Sequence, residues 1–253
     1  LLQSPLNLQL MKIQLHDNGK HLDFAPFTLT RPVGALRVGI LTNEERFQAF
    51  SNEVEVGFST ESYLSGKFSA IGGISVNACV IPDRKLMEAI LNLSEDQALY
   101  QNGLWIAGTS DASNRIEFEG EIPAVLENRW DLYQQNAAAL KSDFELLTSG
   151  RTSRQLSSTN TIIGDDKLIF LEEGAVVEGC TLNTTNGPIY VGENAEIMEG
   201  SLVRGPLAMN EHSALKLGTK VYGATTLGPH CKVGGEVNNV IFQGYSNKGH
   251  DGF

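Results

Sequence analysis

The chain has 253 residues, 41% of them hydrophobic, and a formal net charge of -11 at pH 7. That length allows one large domain or two modest ones, and the acidic balance argues against nucleic-acid binding, which needs clustered Lys and Arg to neutralise phosphate. No apolar run approaches the ~18–20 residues of a membrane span, and Cys79, Cys180 and Cys231, odd in number and far apart, read as free thiols of a cytoplasmic protein.

Residues 1–10 lack the basic start of a signal peptide, and Met11 is a candidate natural start. From there to about residue 125 the pattern alternates between strand and helix. Lys12–Leu15 reads as a short strand, followed by a polar loop to about Gly39. Asn43–Phe50 reads as a helix capped by Thr42 or Asn43, and Val54–Phe58 as an alternating strand. Gly72-Gly73 leads into Ile74–Ile81, expected to be one buried strand. Asp83–Leu93 is expected to be a helix, with Asp83 as its cap signal and Leu86, Met87, Ile90 and Leu91 as its apolar face. Gly103–Ala107 and Arg115–Phe118 complete an α/β pattern. Residues 129–147 predict one helix, with Trp130, Tyr133, Ala137, Leu140 and Phe144 on a common face. The Ser- and Thr-rich stretch Thr148–Thr161 reads as a linker.

Beyond the linker the grammar changes. Val191, Ile197, Val203, Met209, Leu215, Val221, Leu227 and Val233 stand at an unbroken spacing of six. Six matches neither the helical period of 3.6 nor the strand period of 2, but it fits a solenoid coil with three short flat faces, each contributing one inward aliphatic residue. Leu171 and Val177 extend the series backwards, and the frame slips between Asn183 and Tyr190, where a loop is expected to leave a corner of the coil. At 18 residues per turn, residues 162–253 predict about five turns, with the solenoid continuing past Phe253. The expected domains are 11–128, a truncated α/β domain; 129–161, helix and linker; and 162–253, a left-handed parallel β-helix of hexapeptide repeats.

The segment Pro26-Phe27-Thr28-Leu29-Thr30-Arg31-Pro32, together with this order of domains, resembles the sugar-1-phosphate nucleotidyltransferase superfamily with a C-terminal hexapeptide domain. The stretches RPVGALRVGILTNEERF, TNGPIYVG, EIMEGSLVRGP and GYSNKGHDGF resemble a Bacteroides-type bacterial subgroup. That subgroup is related to the bifunctional N-acetylglucosamine-1-phosphate uridylyltransferases/glucosamine-1-phosphate acetyltransferases. The resemblance implies a Rossmann-like nucleotidyltransferase domain. It assigns Gly19, Thr28, Arg31 and Arg37 to nucleotide binding, with Arg31 and Arg37 alternatively surface ion-pair partners of Glu44 and Glu45. The chain departs from the family signature in four respects. His21 stands where the second glycine belongs, Asp23 on the arginine that stabilises the triphosphate, and Val33 on the lysine after proline. Asn77 stands near the metal-binding aspartate. Asp17 and Asp83 are candidates for altered roles in such a site.

In the solenoid half the resemblance makes His250 the base for acyl transfer, with Lys248 reaching a sugar phosphate and Asn247 in the same polar cluster. Arg204 and Tyr222 are expected on neighbouring coils, lining a sugar-phosphate site. His212 and His230 fall at polar corners and read as solvated side chains. The implied function is a sugar-phosphate transferase, nucleotidyl or acyl or both, acting on a sugar phosphate with a nucleoside triphosphate or acyl-CoA. Acetyl-CoA and magnesium are the implied cofactors and a homotrimer the implied assembly. The alternative is a non-catalytic sugar-nucleotide-binding protein or trimeric scaffold.

Overall fold

The computed structural model describes residues 10–109 and 111–251. Its contacts divide into two units. The first comprises the residues up to Leu36 together with Asn43–Ile122. The second comprises Arg37–Thr42 together with the residues from Pro123 onward.

The first unit is built on a six-stranded mixed sheet. Strands β1 (Met11–His16), β2 (Val54–Ser59) and β3 (Ile74–Asn77) are parallel, with β1 between the other two. Ile13 and Leu15 on one face of this central strand and Gln14 on the other are buried, as expected for a strand covered on both faces. The expected strand Ile74–Ile81 is broken in two. Asn77 accepts a hydrogen bond from the Cys79 amide at 3.0 Å, an Asx turn that ends β3 before β4 (Val80–Ile81) begins.

Helix α1 (Asn43–Phe50) buries Asn43, Arg46 and Phe47, and the Asn43 amide group donates to the carbonyls of Ala78 and Val80. Helix α2 (Arg84–Leu91) buries Leu86, Met87 and Ile90. Asp83 caps it by accepting from the Leu86 amide at 2.8 Å, a structural use of that carboxylate. Strands β5 (Gln97–Gln101), β6 (Leu104–Gly108) and β7 (Asn114–Glu117) complete the sheet in the order β2-β1-β3-β6-β5-β7. Strand β5 escaped the sequence reading. The Asn102-Gly103 pair that turns it into β6 carries φ of 50° and 83°, the left-handed pair of a type I′ hairpin.

The second unit is the solenoid. Three parallel sheets of five short strands each stack into a left-handed β-helix. The first face holds Thr161–Ile163, Thr181–Asn183, Leu202–Arg204, Lys220–Tyr222 and Glu236–Asn238. The second runs from Ile169–Leu171 to Ile241–Phe242 and the third from Val176–Val177 to Asn247–Lys248. All eight residues of the six-spaced series lie in one core cluster, none more than 2% exposed. The coils shorten along the chain: Ile189 pairs with Ile169, Thr225 with Leu207 and Asn247 with Lys232, steps of twenty, eighteen and fifteen residues. Gly192 and Gly228 follow inward residues because the backbone of the next coil leaves no room. A Cβ there would stand 2.7 Å from the Met209 carbonyl oxygen and 2.4 Å from that of Gln243.

The second face is covered. Its outward residues Phe170, Tyr190, Ala208 and Thr226 are all buried. The expected single helix 129–147 is two, α3 (Asp131–Gln134) and α4 (Asn136–Thr148), separated at Gln135. The break takes Trp130 and Tyr133 off the packed stripe, and both are about half exposed. Helix α4 buries Asn136, Ala139, Leu140, Asp143 and Phe144, and Leu140 and Phe144 join Phe170, Tyr190 and Ala208 in a cluster that includes Ile40 and Leu41.

Those last two residues belong to the strap Arg37–Thr42, whose backbone is held by side chains of the second unit. Asp143 accepts from the amides of Ile40 and Leu41 at 2.8 and 3.1 Å. Asn136 accepts from the Gly39 amide, Thr226 donates to the Gly39 carbonyl, and Gln243 bonds both the amide and the carbonyl of Arg37.

Candidate functional site at the carboxyl edge of the parallel strands

In open α/β sheets ligands bind outside the carboxyl ends of the parallel strands, where the connecting loops meet. Here that edge is formed by the residues after β1, β2 and β3. After β1 the chain makes a tight turn through Asn18 (φ 50°) and Gly19 (φ 73°), closed by a bond from the Lys20 amide to the Asp17 carbonyl at 2.8 Å. Three short 3-10 helices follow, His21–Phe24, Phe27–Thr30 and Val33–Ala35.

Asp17 organises this loop. Its carboxylate is buried and accepts three donors: the Val33 amide at 2.8 Å, His21 Nδ1 at 2.9 Å and the Thr60 hydroxyl at 2.5 Å. One side chain thus joins the start of the loop, its first and last short helices, and the residue after β2. His21, 3% exposed, turns its other ring nitrogen to the Tyr63 hydroxyl at 3.0 Å. Tyr63 sits on the short helix Ser62–Leu64 and is 61% exposed.

The nucleotide-binding candidates fall in different places. Gly19 is exposed, with open space around its Cα. Arg31 is half-buried at the end of the second short helix. Thr28 is fully buried and donates its hydroxyl to the His21 carbonyl at 2.5 Å, so it fixes the loop and does not face a ligand. Arg37 belongs to the second unit and is not a surface side chain. It is 4% exposed in the second unit, and its guanidinium donates to the Ile40 carbonyl and to Asn210. A buried guanidinium is tolerated only with such fixed acceptors.

Electrostatics at the edge are mixed. Lys20 pairs with Asp23 at 3.0 Å in the open, so the Asp23 carboxylate neutralises the neighbouring lysine. The Cys79 thiol is pushed up to about 12, first by burial and then by the charges of Asp17 and Asp23, only partly offset by Lys20. Asn77 is buried with its oxygen given to the Cys79 amide and its nitrogen to the Trp105 carbonyl at 2.9 Å. A cavity of about 1280 Å³ in this unit opens at the opposite ends of β1 and β3. Its charged lining, Lys12 against Glu55, Glu95, Asp96 and Asp111, disfavours a phosphate there.

A family model described as sugar nucleotidyl transferase matches residues 13–152, more than half of the chain. The chain belongs to this family. The match takes in β1, the Asp17 loop, the strap and α4, and stops before the first solenoid strand at Thr161. Comparison with curated proteins gave no match.

On the solenoid, Arg204 and Tyr222 occupy the same outward position on adjacent coils of the first face, since Val203 pairs with Val221. The Tyr222 hydroxyl donates to Glu236 at 2.5 Å. Asn247 is exposed in the last strand of the third face. Lys248 takes the inward position opposite Val233, and its ammonium donates to the carbonyls of Gly234 and His250 at 2.9 and 2.8 Å. It is therefore a terminal residue of the core column that satisfies two backbone oxygens. His250 is exposed, with Nδ1 at 2.8 Å from the Asp251 carbonyl. His212 and His230 are indeed exposed, but they are not isolated. With Tyr245 they form a stack on successive coils, ring centroids 4.8 and 5.0 Å apart, all three residues with φ near 50–55°.

Proposed function

We propose that the chain transfers a nucleotidyl group between a nucleoside triphosphate and a sugar 1-phosphate over the carboxyl edge of β1 and β2. The supporting observation is that the family match runs through the Asp17 loop, and that this loop is held in one arrangement by a buried carboxylate with three donors. In this reading the phosphate of the sugar attacks the α-phosphorus and pyrophosphate leaves. In this reading Arg31 is the cation that balances the developing charge. The reaction class implies magnesium, but the residues present do not fit as its ligands. Both polar groups of Asn77 and both oxygens of Asp17 are already bonded, and among the described residues no three His, Cys, Asp or Glu side chains are grouped as a metal set. No step is assigned to a metal.

A second reading, acyl transfer from an acyl-CoA such as acetyl-CoA at the solenoid, is favoured by His250. With Nδ1 donating to the Asp251 carbonyl, Nε2 carries the lone pair that a general base needs. Assembly as a homotrimer would cover the apolar side chains of Ile163, Leu202 and Tyr222 on the first solenoid face.

Thermal stabilisation by nucleoside triphosphates, sugar 1-phosphates, nucleotide sugars and acetyl-CoA tests these readings, because a ligand bound only by the folded chain raises Tm. Stabilisation by a triphosphate, with pyrophosphate release that Arg31→Ala lowers at least tenfold, supports the first. CoA release abolished by His250→Ala supports the second. Stabilisation without turnover makes the chain a sugar-nucleotide-binding protein, and no stabilisation leaves a scaffold.

A further inference from the structure

Asp17, His21 and Tyr63 form a chain that nucleotidyl transfer to a sugar phosphate does not use. The direction of its hydrogen bonds follows from the donor inventory. The Asp17 carboxylate only accepts, so His21 Nδ1 carries the proton between them. In the neutral ring Nε2 is then an acceptor, and the Tyr63 hydroxyl donates to it. The phenolic proton is thus directed at a buried base, while Tyr63 itself is 61% exposed. A nucleophile, a base and a group that orients the base are the three parts of an activated nucleophile. Tyr245 and Tyr133 are also exposed, but among the described residues no histidine hydrogen-bonds to either hydroxyl.

We propose that Tyr63 is a nucleophile activated by His21 and Asp17, and that it accepts the nucleotidyl group of a nucleoside triphosphate. The second half rests on the proposed nucleotide site. In the step Tyr63 Oη bonds to the α-phosphorus and the bond from that phosphorus to the bridging oxygen breaks. The electron pair leaves on pyrophosphate, and the phenolic proton passes to His21 Nε2. The imidazolium so formed is held against the Asp17 carboxylate, whose remaining bonds to Val33 and Thr60 keep it in place.

The full chain is incubated with each of the four ribonucleoside triphosphates and magnesium, and then with a small aryl sulfonyl fluoride. Adducts are read by intact mass and peptide mapping, and triphosphate binding is read separately by Tm. The expected result is one nucleotidyl group per chain on Tyr63, absent in Tyr63→Phe and formed at least ~100-fold more slowly in His21→Gln, the scale on which a positioned base acts. A triphosphate that raises Tm but leaves Tyr63 unmodified overturns the nucleotidyl step and leaves the nucleotide site standing. If no triphosphate binds, the nucleotide site and its electrophile fall together. The sulfonyl fluoride then decides the relay. Tyr63 labelled faster than Tyr245, with the difference lost in His21→Gln, supports it; equal labelling overturns it.

Discussion

Replacing Asp17 by alanine tests whether one carboxylate holds the loop at the carboxyl edge. The substitution removes the acceptor of the Val33 amide and of His21 Nδ1, donors on residues 1% and 3% exposed, and of the partly accessible Thr60 hydroxyl. A buried donor left without a partner costs about 1–3 kcal/mol. Two such donors therefore give a loss of roughly 2–6 kcal/mol, with the Thr60 hydroxyl free to turn to water at little cost. Asp17→Asn keeps one acceptor oxygen for Val33 and is expected to lose about half as much. The assay is urea unfolding of both variants, combined with hydrogen exchange at the Val33 amide, whose protection should collapse in Asp17→Ala and persist in Asp17→Asn. An unchanged midpoint in Asp17→Ala, with Val33 still protected, would refute the role given to this carboxylate.

Other parts of the fold can be tested in the same way. Gly39→Ala adds a Cβ 2.4 Å from an Asp143 oxygen and 2.8 Å from the Ala139 carbonyl carbon at φ +78°. It should cost at least ~1–3 kcal/mol from the backbone alone, read as a lowered unfolding midpoint, and a neutral variant would show the strap is not packed as described. The thiol of Cys79, raised to about 12 from 9.0, should react with iodoacetamide at pH 8 on the order of a thousandfold more slowly in the folded chain than in urea. Because the folded chain holds that proton where the unfolded chain releases it, this thiol's contribution is intact below pH 9 and is lost as pH rises towards 12; urea midpoints that do not fall over that range would contradict it. His230→Ala removes a ring stacked on both His212 and Tyr245 and should cost about 1–3 kcal/mol for two aromatic contacts. His230→Gly loses the same contacts but relieves the positive φ of 55°, so it should unfold at a higher midpoint than His230→Ala. The reverse order would show that the backbone there is unstrained.

The amino-acid sequence by itself determined the solenoid, because its rule is local: an inward residue every sixth position, repeated coil after coil, needs no knowledge of what lies outside. It also determined the α/β character of residues 11–125, through alternation in β1 and β2, the cap at Asp83 and the apolar face of α2. What only the tertiary structure decided depends on contacts between distant segments. The resemblance assigns Arg37 to nucleotide binding, but acceptors from Asn136, Asp143 and Gln243 make residues 37–42 a strap of the second unit, with Arg37 buried in it. The six-residue period fixes which side chains point inward on all three faces alike, so it cannot say which face α4 covers. That depended on where Phe170, Tyr190 and Ala208 meet Leu140 and Phe144. At the carboxyl edge, the sequence named Gly19 and Arg31 by resemblance and noted His21 only as a departure. The pairings of Asp17 with Thr60 and of His21 with Tyr63 each span more than forty residues of chain, and a hydrogen bond between side chains so far apart leaves no periodic trace to read.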